Sequence, residues 1–208
     1  MDSDWRNGFL FVGNHLALDF VNTRPVVHDD HVELISGGPA LANWLEAAGL
    51  VTTREAARLM RKWSAPEFAA AVESLRHLRE SFRRGLFQIE AGDAPSAAFV
   101  KDLNRLLLDH PSIDQIVHSG AVLERKRRFA PETPEDASAP LADAMVDLLT
   151  LADRTKIRKC INADCVLHYY DTSKKGTREW CSMRMCGNRA KVAAFAERQR
   201  AAARLNEA

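Results

Sequence analysis

Apolar residues recur every three or four positions through much of the first 150 residues, which is the period of an amphipathic α-helix. The pattern begins at Leu16, directly after a candidate N-cap region at Asn14. Thr52 and Glu55 have the spacing of a capping box at the start of a later helix. Further helices are predicted just before Gly49 and over residues 66–90, 95–108 and 141–152.

Two stretches depart from this helical period. Apolar residues on both sides of Ser119-Gly120 predict a β-hairpin, and residues 9–12 predict a short strand that Gly13 closes. The chain is therefore predicted to be a predominantly helical α+β protein. A basic segment follows the last of these helices, and we place a domain boundary there. The two expected parts are a helical domain with a short hairpin over residues 1–153 and a small domain over residues 154–208.

The composition is that of a globular protein, with 46% hydrophobic residues among 208. No run of apolar residues reaches the length of about 18 that would indicate a membrane span, and we expect no membrane partner. The acidic, polar start of the chain is unlike a signal peptide, so we expect a cytoplasmic protein.

Charge is divided unequally between the two expected domains. Residues 1–153 contain 16 Lys and Arg against 23 Asp and Glu, whereas residues 154–208 contain 13 against 5. Such asymmetry indicates an acidic partner for the basic part, or an attraction between the two parts of the chain.

All four cysteines lie in the basic part, as Cys160-x4-Cys165 and Cys181-x4-Cys186 with fifteen residues between the pairs. Two close pairs at a moderate separation are typical of four thiolates that bind one Zn²⁺. In a reducing compartment this spacing favours metal over two disulfides, which remain the alternative. Four protein sulfurs leave no position for water, so a structural Zn²⁺ is expected. His168 is an alternative ligand, although no cysteine is spare for it to replace.

The residues between and after the cysteine pairs predict the fold around the metal. Residues 166–170 favour a strand, and Lys174-Lys175-Gly176 favours a turn. Ser182 is a candidate N-cap for a helix that carries Cys186 and extends to about residue 205. This order predicts a small treble-clef-like zinc finger with a long C-terminal helix, whose folding depends strongly on the metal.

The segment from Trp180 to Lys191 reads WCSMRMCGNRAK and resembles the signature of CGNR zinc-finger proteins. Upstream residues fit the same pattern, namely Arg158-Lys159-Cys160, Cys165 and Asp171-Thr172-Ser173. Residues 13–23 are similar to the opening of the ABATE domain, which precedes the finger in that family of stress-induced transcription regulators. The resemblance implies zinc binding, DNA binding and regulation of transcription.

One face of the predicted C-terminal helix carries the candidate DNA contacts. On a helical wheel its polar members fall together, and they are Arg184, Asn188, Lys191 and Arg198. Arginine and asparagine side chains can read guanine and adenine edges in the major groove. Phosphate contacts are expected from the remaining cations, notably Lys174, Lys175, Arg178, Arg189 and Arg200. Two alternatives stay open: Asn188 and Arg189 brace the metal site, and the lysine pair is only a solvated turn.

In the N-terminal domain, His15, Asp19 and Asn22 are spaced to share one helix face. They could line a pocket for a small-molecule effector, or they could satisfy backbone groups nearby. Motifs for a nucleophile elbow, a phosphate loop or a metalloprotease are absent from the sequence, so we expect no enzyme. A hydrolase that uses His15 and Asp19 is the remaining enzymatic alternative.

The sequence therefore predicts a regulator that binds double-stranded DNA and contains a structural Zn²⁺, with a homodimer as the expected assembly because one small finger buries little DNA surface. One alternative is an RNA-binding module in which Tyr169 and Tyr170 stack on bases. Another is a protein-interaction adaptor whose finger contacts an acidic protein surface.

Overall fold

The computed structural model describes the backbone of residues 4–27 and 29–206, and their side chains except at positions 126, 128 and 201–206. Seven α-helices form in these ranges: α1 (Leu16–Val21), α2 (Gly38–Ala47), α3 (Thr53–Lys62), α4 (Ala65–Glu90), α5 (Ala97–Asp109), α6 (Ser138–Thr150) and α7 (Asn188–Asn206). None of them is both long enough and apolar enough to cross a membrane.

The strands form four separate antiparallel pairs: β1 (Trp5–Arg6) with β2 (Phe9–Leu10), β3 (Val26–Val27) with β4 (Asp30–His31), β5 (Ile113–Ser119) with β6 (Val122–Arg128), and β7 (Ile157–Lys159) with β8 (His168–Tyr170). The longest pair is the predicted hairpin, in which Ser119 lies opposite Val122 across the turn. The predominantly helical α+β fold predicted from the sequence is therefore confirmed.

Most helix ends lie where the apolar period and the capping residues predict. The Thr52 side chain accepts a hydrogen bond from the Glu55 N–H (3.3 Å), which forms the expected capping box of α3. One cap differs from the prediction. His15 rather than Asn14 caps α1, because the His15 Nδ1 accepts the N–H of Ala17 (3.3 Å). Asn14 instead adopts a positive φ of 56°, a conformation that asparagine tolerates better than most residues.

The core of the helical part contains large apolar side chains from α1, α2, α4 and α6, among them Phe20, Trp44 and Phe82. The Phe20 and Trp44 rings lie 5.7 Å apart at a steep angle, as is favourable for aromatic pairs. One charge enters this core. Arg79 on α4 is only 2% exposed and is neutralised by an ion pair with Glu33. Burial of Arg79 therefore depends on a partner 46 residues away in the sequence.

The C-terminal part forms a small finger around the cysteines. β7 and β8 enclose the loop that carries Cys160 and Cys165. Cys186 lies in a π-helical turn (Met183–Gly187) that leads directly into α7, and the Ser182 hydroxyl caps this turn by accepting the N–H of Arg184 (3.1 Å). The predicted cap is confirmed. The predicted helix is not regular at its start, however, because the π-helical turn before α7 contains one residue more than a turn of α-helix.

The first described residues pack with the finger. Leu10 and Val12 are buried in the same apolar cluster as the four cysteines, and the Ser182 hydroxyl donates to Asp4 (2.5 Å). Helix α1 lies between this finger and the helical core. The described contacts therefore link residues 4–12 with the finger, across the boundary near residue 153 that the sequence suggested.

Candidate metal centre

The four cysteine sulfurs converge on one point. All four thiols are buried, unpaired by disulfides and within 4.8 Å of one another. The Cys181 sulfur lies 3.7 Å from that of Cys165 and 3.6 Å from that of Cys186. Sulfurs placed tetrahedrally at about 2.3 Å from one Zn²⁺ lie about 3.8 Å apart. The observed spacing fits that geometry and is far longer than a disulfide bond, so the disulfide alternative is wrong.

The chemistry of the thiols also calls for a cation. Hydrogen bonds from Cys165 and Cys181 lower the pKa of Cys160 to about 2, which favours its thiolate form. The hydrogen bond to Cys160 raises the pKa of Cys165 to about 12, and hydrogen bonds to Cys160 and Cys165, together with burial, raise the pKa of Cys181, which disfavours further thiolates in the cluster alone. A divalent ion at its centre allows all four sulfurs to be thiolates.

Polar groups around the sulfurs further favour the charged form. The backbone N–H groups of Asn162 and Leu167 point at the sulfurs of Cys160 and Cys165, respectively. The side-chain amide of Asn162 donates to the Cys186 sulfur at 3.7 Å. The sequence pattern suggested Asn188 for this bracing role and did not point to Asn162, whose amide binds a ligand sulfur. Its position between the first two cysteines is the only signal that could have indicated it.

His168 lies outside the sulfur cluster. Its ring is fully buried against Phe87, with the ring centroids 5.5 Å apart, and its Nε2 lies 3.4 Å from a Glu90 carboxylate oxygen. The alternative in which His168 replaces a cysteine ligand is therefore not supported by the geometry. Four buried sulfurs, with no further ligand among the residues that the structure describes, fit a closed structural zinc site.

Arg178 is held inside the finger. Its guanidinium lies 4.1 Å above the Tyr169 ring and donates to the carbonyls of Trp180 (2.9 Å) and Val12 (3.0 Å) and to that of Cys181. A phosphate contact was predicted for Arg178; in the structure its Nε and Nη2 groups bind backbone oxygens of the finger. Tyr169 is only 1% exposed, so it cannot stack on a base as the RNA-binding alternative required.

The other predicted nucleic-acid contacts lie at the surface. All eight are exposed: Lys174, Lys175, Arg184, Asn188, Arg189, Lys191, Arg198 and Arg200. The Asn188 side chain makes no hydrogen bond within the described residues, which leaves the amide turned to solvent. Arg184 precedes α7 in the π-helical turn, so the regular wheel used in the prediction does not hold at its position. Among the described residues, no hydrogen bond or ion pair joins the Lys174-Lys175 turn to α7.

The three candidate pocket residues on α1 point to different surroundings. Asn22 is completely buried and bonds both backbone groups of His168, with its amide donating to the carbonyl (2.8 Å) and its oxygen accepting the N–H (2.9 Å). Asp19 accepts the N–H of Gly13 (2.8 Å), and burial raises its pKa to about 6. Only His15 lines a sizeable cavity. The alternative in which Asp19 and Asn22 satisfy backbone groups therefore describes what the structure shows.

These features define the chain as a helical protein that carries a zinc finger with four cysteine ligands. The comparison with protein families agrees with that class. The model of the ABATE family, described as "Putative stress-induced transcription regulator", matches residues 14–151, and the model of the CGNR zinc finger matches residues 156–199. The first match covers more than half of the chain, so the chain belongs to the ABATE family. No curated protein matches it.

Proposed function

We propose that the chain is a transcription regulator whose zinc finger binds double-stranded DNA through α7. The observation that carries this proposal is the exposure of α7. Every residue from Lys191 to Arg200 is exposed except the half-buried Ala196. A 19-residue helix is about 28 Å long, and the part of it whose side chains are described, up to Arg200, has no buried face and so gains little stability from its own chain. Such a helix is suited to a partner that supplies the missing contacts.

The charge of α7 indicates what kind of partner it is. The helix contains five cations and one acid, Glu197. Asn188, Lys191 and Arg198 lie within an arc of about 80° on a regular α-helix. Arg189 and Arg200 are exposed and lie on the other side of the helix, about 140–160° from the centre of this arc. Base-reading side chains on one face of a helix that carries further cations for phosphates are typical of a helix that enters the major groove.

The zinc finger would hold the start of α7 in place. Cys186 is the last zinc ligand and lies two residues before Asn188, so the metal fixes the position of the first DNA-contacting turn. Arg184 and the Lys174-Lys175 turn would add phosphate contacts on the finger itself. One helix buries little DNA surface, and we therefore expect two copies to bind together. In this proposal the chain binds and does not catalyse.

The proposal is tested by selecting bound duplexes from a random DNA pool and measuring filter binding across a salt series. We expect the logarithm of the affinity to fall with the logarithm of salt by about 0.9 for each phosphate contact. Arg198→Ala should cost about 1–3 kcal/mol, and Lys191→Ala should reduce the salt slope by about one. Zinc content should remain unchanged in both variants.

Arg61→Ala is the matched control, because Arg61 is an exposed cation on α3, away from the finger. Its affinity should equal that of the unchanged chain. A salt slope near zero would rule out phosphate contacts. Loss of zinc in Arg198→Ala or Lys191→Ala would mean that these residues support the finger rather than the DNA.

A protein partner is the second candidate, and specific exposed side chains favour it. Val192 and Phe195 on α7 are 68% and 57% exposed, and Met183 in the preceding turn is 52% exposed. Apolar groups of this size are enriched in protein interfaces. Phe195→Ser separates the two candidates, because it should abolish capture of a protein partner and leave the salt slope for DNA unchanged.

A further inference from the structure

A cavity of about 480 Å³ opens in the helical domain, away from the zinc-bearing residues. Five parts of the chain form it: the start of α1, the turn after α2, the segment after α5, the base of the β5–β6 hairpin with the segment that follows it, and one face of α6. Its volume lies within the range of pockets that bind small molecules. Of the three residues that the sequence suggested for a ligand pocket, His15 alone lines it.

Much of the cavity wall is apolar. Leu16, Leu50, Ile113 and Phe129 contribute side chains, and three prolines complete this surface, two from loops and one from the first turn of α6. An occupant would bury hydrocarbon or aromatic surface against these groups, at about 25 cal/mol for each Å² removed from water. A small, fully hydrated ion would gain nothing from such a wall.

The charged groups of the cavity do not balance. Its lining contains four carboxylates, from Asp109, Asp136, Asp143 and Asp147, and among the described side chains one guanidinium, from Arg127. Three of the four carboxylates have partners within the chain. Asp147 pairs with Arg127 (2.9 Å), Asp136 with His110 (2.7 Å), and Asp109 with Arg105 (3.5 Å).

Asp143 is the carboxylate left over. It makes no hydrogen bond or ion pair with any described residue, although it lies half-buried one helical turn before Asp147 on the same face of α6. A carboxylate at the edge of an apolar cavity is stabilised by a cation that brings hydrogen-bond donors with it.

His15 does not supply that cation. Burial lowers its pKa, although the nearby Asp147 opposes the shift, so the imidazole is neutral at pH 7. Its Nδ1 accepts the Ala17 N–H, which leaves the proton on Nε2 as a donor. The histidine therefore adds a neutral hydrogen-bond donor to the cavity and leaves the excess of negative charge in place.

A metal ion does not fit these carboxylates. Within the described ranges, the cysteine cluster is the one group in which three or more ligand atoms approach closely enough to share an ion. The cavity acids are spread over three elements and do not meet that condition. The combination of an apolar wall and an unmatched carboxylate instead suits an organic cation.

We propose that this cavity binds a small organic amine, with its ammonium group at Asp143 and its apolar body against Leu16, Leu50 and Phe129. The proposal concerns the helical domain alone and makes no use of DNA binding, so either proposal can fail without the other.

The test uses three compounds of matched size on the full-length, zinc-loaded chain: 4-phenylbutylamine, the neutral 4-phenylbutan-1-ol and the anionic 4-phenylbutanoate. Isothermal titration calorimetry at pH 7 measures each affinity. We expect the amine to bind about tenfold or more tightly than the alcohol, and the carboxylate not to bind. Ethanolamine, a cation without an apolar body, should bind far more weakly than 4-phenylbutylamine.

Asp143→Asn should remove the preference for the amine, with an affinity loss of about tenfold and little change for the alcohol. Asp102→Asn is the matched control, since Asp102 is an exposed acid on α5 outside the cavity lining, and it should change nothing. Ala144→Leu, which enlarges a side chain of the cavity lining, should weaken the binding of the amine and of the alcohol to the same extent.

Equal affinity for the three matched compounds would overturn the proposal, and so would an absence of amine binding at millimolar concentration. An amine affinity that survives Asp143→Asn would place the charge recognition elsewhere and would also overturn it. The three-compound comparison on the unchanged chain decides the question even if a variant does not fold.

Discussion

At the scale of single residues, several polar side chains serve the interior rather than a ligand. Asn22 bonds both backbone groups of His168, and Arg178 donates to three carbonyls. The bonds of Asn22 to His168 and of Arg178 to Val12 join segments that are distant in sequence. These bonds satisfy backbone groups that would be costly to bury without a partner. Residue type and spacing alone would equally suit a ligand contact. The difference lies only in which segment the fold brings opposite the side chain.

Asp19 provides a pH-dependent test of this internal role. Burial raises its pKa to about 6, above the ordinary value of an aspartate in the unfolded chain. A carboxyl group whose pKa is higher in the folded chain than in the unfolded chain stabilises the fold most at a pH below its unfolded pKa. That stabilisation is lost as the pH rises through about 6, the pKa of Asp19 in the folded chain. Asp19→Asn keeps an oxygen for the Gly13 N–H and removes the charge. As the pH rises from 5 to 7.5, we therefore expect the free energy of unfolding of the variant to increase by about 1–2 kcal/mol relative to that of the unchanged chain.

Urea unfolding at several pH values, with zinc present, measures this difference. Asp102→Asn is the control, because Asp102 is exposed and its substitution should give a difference independent of pH. A constant difference for Asp19→Asn across the same range would show that the Asp19 carboxylate is not desolvated in the fold.

At the scale of elements, the finger shows how metal ligation and helix geometry act together. The β7–β8 pair closes the loop that holds Cys160 and Cys165, and the π-helical turn places Cys186 at the entrance to α7. A Cβ at Gly187 would come within 2.2 Å of the Met183 sulfur, but the Met183 side chain is flexible and 52% exposed and can move away from it. The extra residue of the turn also moves Arg184 off the regular face of α7, which the helical wheel did not anticipate.

Zinc content tests the assignment of the metal ligands. We expect one Zn²⁺ per chain by atomic absorption, and loss of that ion in Cys181→Ser, because three sulfurs leave the tetrahedral site incomplete. Since the ligands must be thiolates, acidification should also release the metal. Removal of zinc should unfold the finger and leave most of the helical signal of the N-terminal part, which has its own apolar core.

His168→Ala is the discriminating control for this measurement. The imidazole is buried but lies outside the sulfur cluster, so the variant should lose stability and still bind one Zn²⁺. A zinc-free His168→Ala protein with an intact fold would make His168 a ligand and the four-sulfur site incorrect.

At the scale of the whole molecule, α1 joins the two family-matched regions. Its first residues line the cavity, its apolar face lies in the helical core, and Asn22 at its end binds β8 of the finger. Asn14 adds hydrogen bonds to the Tyr170 carbonyl (3.1 Å) and the Thr172 hydroxyl (3.2 Å). On the finger side, the cluster around the cysteines includes Leu10 and Val12 from before α1. We therefore propose that the finger, residues 154–208, folds fully only with residues 4–12 in place.

Asn22→Ala tests how strongly the finger is docked. The variant leaves the N–H and C=O of His168 buried without partners, which should cost on the order of 2–4 kcal/mol. Hydrogen exchange should become faster at the amides of β8, while the core of α4 keeps its protection. Asn104→Ala is the control, because Asn104 is an exposed amide on α5. Unchanged exchange in β8 would mean that Asn22 does not hold the finger in place.

The sequence by itself was sufficient for features that depend on local spacing. Apolar period and capping residues predicted α3 and α4, and Ser119-Gly120 predicted the hairpin, because these signals act over a few neighbouring residues. Four cysteines in two close pairs predicted the zinc ligands for a related reason: Zn²⁺ tolerates few arrangements of sulfur. The motif around Cys181 and Cys186 indicated the CGNR zinc finger, whose family model matches residues 156–199.

Only the tertiary structure decided which hydrogen-bond and ion-pair partners the polar residues have. The burial of Arg79 requires Glu33, the constraint on Arg178 requires the carbonyl of Val12, and the role of Asn22 requires β8, a segment 146 residues away. The cavity at Asp143 likewise arises from five parts of the chain that no local pattern connects. Such contacts depend on how whole elements pack, because hydrogen bonds and ion pairs act only over short distances. The local sequence does not specify which distant group will come within that distance.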